Sequence, residues 1–386
     1  MSSLAERAPA KKSMMGDGAQ RRRRSEALKR QQQARADRSM HARRLADARP
    51  PPPEDRGGGG DDDAMADEPT RPAKTKKQRA ADEARAKAAR WTGEFCAPEW
   101  LVDVPADLDG KGSTTGGGWY VLPRPEGRRC LLIAARGATL ARMPHGEVLE
   151  KGACAFLPCG APGDSRDVNT TILECVYYEP RNTYYAVDVM SWGGYSLYDC
   201  TAEFRFYWLR TKLEETKLEC SESDFAVETC PYFEADAAGI DAAHAGPLPY
   251  LRDGLLFYDK RGHYARGLAP LVALFKDDAC TRRFNVGRDG AVLAVLVCGD
   301  GTAATADGAT VRVVADATPP LAPGELARFV VGPGASGALE ARFDQRCSPK
   351  RAAADSASKI TFFLRHQTAP LSIDHVKAVA AAGRAT

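Results

Sequence analysis

The sequence predicts an α+β protein: an antiparallel-sheet domain with a basic arm in front and a small β-rich extension behind. Three observations carry this. Thr170 to Leu213, TTILECVYYEPRNTYYAVDVMSWGGYSLYDCTAEFRFYWLRTKL, is the densest run of strand-forming and aromatic residues. Arg21 to Arg49 holds 11 Lys/Arg against 3 Asp/Glu, while Trp91 to Thr386 holds 31 against 37. Beyond Arg283, short apolar runs alternate with Gly, Asp and Pro turns, the pattern of small β domains.

In chain order, the first residues, MSSLAERAPAKK, contain no apolar h-region, and no run approaches the roughly 18 apolar residues of a membrane helix. A soluble, non-secreted protein that does not enter a membrane is expected. The arm RRRRSEALKRQQQARADRSMHARRLADAR has good helix formers and neither Gly nor Pro, but only Leu28, Met40 and Leu45 as larger apolar residues. It is expected to be disordered when free and helical when bound. Taken alone, such a charge run favours a solvated, non-specific polyanion-binding tail. Pro50 to Thr70 has a polyproline run, a four-glycine run and an acidic cluster, so it reads as a linker. Arg71 to Arg90 is Ala-rich with eight Lys/Arg and reads as a short exposed helix, with a second targeting patch as the lesser reading.

The folded body is expected to begin near Phe95. Trp119 and the strand Tyr120 to Leu122 follow a Gly-rich loop, Gly110 to Gly118. The turn Gly127-Arg128-Arg129 precedes the apolar strand Cys130 to Ala135. Ile172 to Tyr177 and Tyr184 to Met190 read as two antiparallel strands about Pro180-Arg181-Asn182, followed by a further strand or helix. Leu213 to Leu248 reads as loop and short helix. Val292 to Val297, Val311 to Val314, Phe329 to Val331 and Leu339 to Phe343 are the strands of the extension, and Asp374 to Ala382 is a terminal helix. Eleven Cys are scattered without a Cys-x-x-Cys pair or a His at metal spacing, so reduced structural thiols, no metal and no cofactor are expected.

The run from Thr171 to Leu213, with its Thr-Tyr-Tyr, Asp-Val-Met, Tyr-Asp-Cys and Phe-Arg-Phe-Tyr-Trp landmarks, resembles the snurportin family of import adaptors for spliceosomal U snRNPs. The likeness covers Pro98 to about Phe275 and, more loosely, the arm, where Arg21 to Arg24 and HARRLA at His41 to Ala46 are similar to the importin-β-binding domain of that family. The resemblance implies a nucleotidyltransferase-like (mRNA guanylyltransferase-like) antiparallel-sheet domain that holds a 2,2,7-trimethylguanosine cap. It implies a pocket containing Trp100, Gly127, Arg128 and Arg129, with the arginines toward the phosphates. Importin-β would be met by Arg21, Arg22, Arg23, Arg24, Lys29, Arg30, Arg43 and Arg44. One departure stands out: where the family has a Trp that stacks on the methylated base, PLVALF here has Leu274, followed by Phe275. Because stacking contributes about 1 to 3 kcal/mol, either Phe275 substitutes or cap affinity falls.

The fold kinship raises the question of catalysis. A guanylyltransferase needs a Lys-x-Asp-Gly nucleophile, but Asp253-Gly254 follows Leu251-Arg252 and Asp289-Gly290 follows Gly287-Arg288. A non-enzymatic binder is therefore expected. The organisation read from the sequence is an importin-β-binding arm (1–49), a linker with a basic helix (50–94), a cap-binding domain (95–283) and a β-rich extension (284–386), for which an OB-type barrel is one reading. The function expected is nuclear import of trimethylguanosine-capped U snRNPs by a protein shuttling between cytoplasm and nucleus. An export receptor stays open as a further partner, since the first residues lack the spaced apolar residues of a leucine-rich signal. The alternatives are a generic RNA-binding protein with a polybasic arm and a capping-related nucleotidyltransferase.

Overall fold

Two facing sheets and a separate barrel account for most of the chain in the computed structural model, which describes residues 18–33, 76–110, 117–163, 169–219, 225–281, 292–315, 321–334, 338–348, 351 and 353–382. The first sheet is assembled from β1 (Cys96–Trp100), β2 (Trp119–Pro125), β10 (Phe233–Glu234), β11 (Arg252–Asp259) and β12 (Gly267–Phe275), in the order β1-β12-β11-β2-β10. Its β1 runs parallel to β12, and the remaining pairs are antiparallel. The second sheet has the order β5-β4-β3-β6-β7-β8, from β3 (Arg128–Ala135), β4 (Ala138–Arg142), β5 (Val148–Gly152), β6 (Thr170–Tyr178), β7 (Thr183–Trp192) and β8 (Tyr195–Ser196). A further strand, β9 (Ala226–Thr229), adds to β7 in parallel.

Alternation along the strands divides the core. On β3, Leu131 and Ile133 face the first sheet, while Cys130, Leu132 and Ala134 face outward toward the helix α3 (Ala202–Glu219) through Leu209 and Leu213. On β11, Leu256 and Tyr258 face the second sheet, whereas Leu255 and Phe257 turn to α4 (Ala237–Ala245) and α6 (Ile373–Ala382). Every residue of β7 is buried, as expected of a central strand covered on both faces.

The FRFYW segment, open in the sequence between strand and helix, is helical. Its Arg205 explains why: from α3 it reaches Asp188 on β7 through two hydrogen bonds, 2.8 and 2.9 Å, and donates also to the carbonyls of Cys200 and Gly262. Both side chains are at most 2% exposed. A strand would not let Phe206 and Leu209 share an inward face with Arg205.

The extension is a closed five-stranded barrel, β13 (Val292–Cys298), β14 (Thr302–Ala304), β15 (Thr310–Ala315), β17 (Leu339–Arg346) and β16 (Leu326–Pro333), with one parallel contact between β15 and β17. That connectivity is the one of an OB-type barrel. The helix α5 (Ala357–Thr368) packs Ile360, Phe362 and Phe363 on the barrel and was not anticipated from the sequence. β14, β9 and β10 were also missed, being two to four residues long. The Ala-rich basic helix is present as α2 (Lys76–Thr92), which inserts Trp91 into the core between the sheets.

The arm departs most from expectation. Residues 19–33 form α1 (Ala19–Gln33), and this helix lies on the body rather than apart from it. The buried face is polar: Gln20 Nε2 donates to Glu99 (2.9 Å) and the Trp100 carbonyl (2.8 Å), Arg23 donates to Glu99 at 2.5 and 2.9 Å, and Gln31 bonds Arg261 and His263. Counting apolar residues could not reveal a docking surface built from hydrogen bonds. Arg43, Arg44, the HARRLA motif and the Pro/Gly linker lie outside the described residues.

Replacing Arg205 by Met leaves the Asp188 carboxylate buried without a counter-charge, and a loss of about 3 to 5 kcal/mol in urea unfolding is expected. The double variant D188L/R205M should recover most of that loss, and an additive pair of losses would disprove the coupling.

Candidate functional site

Between the two sheets lies a cavity of about 200 Å³, walled by β1, β2, β3, β6, β7, β11 and β12. Of the residues singled out in the sequence it brings together Trp100, Arg129 and Leu274, and adds Arg124, Glu174 and Tyr258. The first sheet aligns the nearest pair. β1 and β12 run parallel with a register shift between Pro98 and Glu99, after which Trp100 lies opposite Leu274. Trp100 is half-buried: one flank meets Phe362 and Phe363 of α5, with ring centroids 5.0 and 5.1 Å away, and its backbone N–H donates to Ser358 Oγ at 3.1 Å. The barrel's helix thus fixes the aromatic side chain of the cleft.

Arg129 reaches the cavity from β3 but is not an idle cation. Its Nε donates to Glu174 Oε1 at 2.7 Å, and Nη2 contacts both the same oxygen and the Cys96 carbonyl. Glu174 Oε2 accepts from Tyr264 Oη at 2.6 Å and from the Cys96 N–H at 3.2 Å. Burial works against the charge of Arg129, and Glu174 outweighs it, so that the guanidinium stays charged with its pKa above the ordinary arginine value. A cation already matched by a carboxylate has less of its field to offer a phosphate. Arg124, on β2, stands 3.9 Å from Asp253, and Asp253 is held by Lys276 at 2.7 Å.

The other sequence candidates sit elsewhere. Arg128 is half-exposed over the Tyr177 ring, 3.5 Å from Glu179, and does not line the cavity. Gly127 shapes the turn between β2 and β3 with φ of +146°, and a Cβ there would stand 2.1 Å from the Tyr177 carbonyl oxygen, so the close approach of chain to chain demands glycine. Phe275 is fully buried on the opposite face of the first sheet with Leu101, Trp119 and Phe257. Adjacent residues of β12 point to opposite faces, which leaves Leu274 as the wall where the sequence had allowed Phe275. Of the arm, Arg23 and Arg24 are turned to the body, whereas Arg21, Lys29 and Arg30 are exposed and Arg22 is half-buried.

Glu174 escaped the sequence reading, yet its signal was there. It is the single charge in TTILECVYY, a strand whose first seven residues are all buried, and a carboxylate in such a strand needs a partner. Glu174→Ala is expected to lower stability by about 3 to 5 kcal/mol in chemical unfolding, because it strands Arg129. An unchanged denaturation midpoint would show that the pair is dispensable.

Residues 95–277 match the family described as "Snurportin1, m3G cap-binding domain". Among solved structures, a mycobacterial DNA ligase D complexed with ATP and MES is similar at 13% identity, over 67% of this chain and 98% of that one, with a TM-score of 0.32. The ligase domain from M. tuberculosis LigD is similar at 12% identity, over 67% and 96%, with a TM-score of 0.31. At those scores the likeness bears on neither activity nor substrate. The cleft between the sheets, with Trp100, Arg129 and Leu274 on its walls, lies wholly within the residues that match the snurportin m3G cap-binding domain.

Proposed function

We propose that this protein is a nuclear import adaptor that holds the 2,2,7-trimethylguanosine cap of U snRNA in the cleft between the sheets and recruits importin-β through its basic arm. The observation that carries the reading is the convergence of Trp100, Leu274 and Arg129 on one cavity inside the family match. A trimethylated guanine is cationic and its exocyclic amine donates no hydrogen bond, so its recognition calls for an aromatic face and apolar contact rather than a donor-acceptor code. Trp100 supplies the aromatic and Leu274, Val176 and Val187 supply the apolar wall. Arg124 and Arg129 are the cations on the phosphate side. No chemical step is assigned: the Lys-x-Asp-Gly nucleophile is missing from the sequence, and Asp253 of Asp253-Gly254 is paired with Lys276.

The test is competition for a capped RNA oligonucleotide by trimethylated and monomethylated cap dinucleotides. Trp100→Ala is expected to weaken the trimethylated competitor tenfold or more, and Leu274→Trp to strengthen it by roughly 1 kcal/mol, the value of one added stacking face. Binding that depends on salt but not on the cap would sink this reading in favour of a generic RNA-binding protein.

On the receptor side, deleting residues 1–49 should abolish importin-β binding and leave cap binding intact. Because Arg23 is spent on Glu99 while α1 is docked, Glu99→Ala should raise receptor affinity in the full chain. Equal receptor affinity with and without the arm would refute the assignment. On this reading the protein shuttles between cytoplasm and nucleus, and an export receptor would be the partner of the return.

A further inference from the structure

A second cavity, of about 890 Å³, lies apart from the cleft. One wall is α1 with Arg21 and Arg24, the floor is the 101–107 segment with Trp119, and the far wall is α5 and α6 with Arg365, His366 and His375. Three carboxylates also line it, but each faces a cation: Asp259 and Asp107 bond Arg261 at 2.7 and 2.9 Å, and Asp103 stands 3.7 Å from Arg365.

Arg24 is different. Only 7% exposed, it donates Nη2 to the Asp103 carbonyl at 2.6 Å and lies over the Trp119 ring at 5.4 Å. Its Nε–H is buried and has no hydrogen-bond partner among the described residues. A buried donor on a charged group that goes unmatched costs more than a neutral one, and a guanidinium offers its Nε–H and one Nη–H as a fork fitted to an oxyanion. Burial depresses the pKa of Arg24 to about 10 despite Glu99, Asp103 and Asp107, the mark of a charge that its surroundings compensate only in part. The first turn of α1 aggravates this, since it carries Arg21 and Arg22 and no acid at the positive end of the helix.

We propose that this groove is an anion site, taking a phosphate-class anion of two or more charges on the Nε–H of Arg24, with Arg21 beside it and Arg365 and His375 on the far wall. One wall belongs to the arm and the other to the C-terminal helices, so a bound anion joins the two. It therefore favours the docked state of α1.

The experiment is calorimetric titration of the full chain with inorganic pyrophosphate, repeated in the presence of saturating trimethylated cap dinucleotide. One pyrophosphate per chain is expected under both conditions. Arg24→Gln should weaken it tenfold or more. His375→Ala, on an exposed position away from the contacts that dock α1, should weaken it severalfold and decides the matter if Arg24→Gln fails to fold. O-phosphoserine as a parallel probe separates the sources: equal affinity points to a phosphorylated protein side chain, and much weaker affinity to a free polyphosphate. No binding, or binding unchanged in both variants, overturns the site. Displacement by the cap dinucleotide overturns it too, because the anion would then occupy the cleft between the sheets, and that outcome would leave the cap assignment standing.

Discussion

Five residues, Cys96–Trp100, hold this molecule together, because each of their contacts goes to a different part of it. The N–H and carbonyl of Cys96 close on Glu174 and Arg129 in the second sheet. The ladder to β12 joins them to the first sheet. Glu99 anchors α1 by its carboxylate, and Trp100 takes the aromatic pair of α5 that belongs to the barrel core. An edge strand normally leaves its groups to solvent or to a stray partner. Here the edge is consumed from every side, and the cleft exists because this one strand bridges the gap between two sheets.

The architecture was legible wherever residue types were strongly biased toward strand or helix. The strands around Thr170 to Trp192, the β-rich tail and the two Ala-rich helices could be read from residue type, and the family resemblance named Trp100, Arg129 and Leu274, which do share a cavity. What could not be read were the polar partnerships over long separations. Glu174 and Arg129 are 45 residues apart, and Gln20 and Glu99 are 79 apart. Local pattern reports which side chains want to leave water, not which charged groups will meet. The choice between Leu274 and Phe275 had the same origin: the alternation along β12 said that the two diverge, but only the position of the second sheet says which of them faces the cleft.

The arm shows how a polar helix can dock without an apolar stripe. Its gain comes from satisfying a buried carboxylate that would otherwise be costly, and such hydrogen bonds to charged groups contribute more than neutral ones. Because Glu99 is only 2% exposed, the stabilisation is lost sharply when α1 leaves, and this gives the docked state a definite boundary rather than a gradual fraying.

The contact between Trp100 and α5 also sets an order in time. The Trp100 N–H waits for Ser358, 258 residues later in the chain. At ribosomal rates of roughly 5 to 20 residues per second, that interval is on the order of 10 s to a minute. During it the first sheet can form while its aromatic edge stays uncovered. A chain interrupted inside the barrel would carry every residue that lines the cleft and still present Trp100 to solvent, so the far end of the polypeptide acts as the last inspection of a site encoded before it.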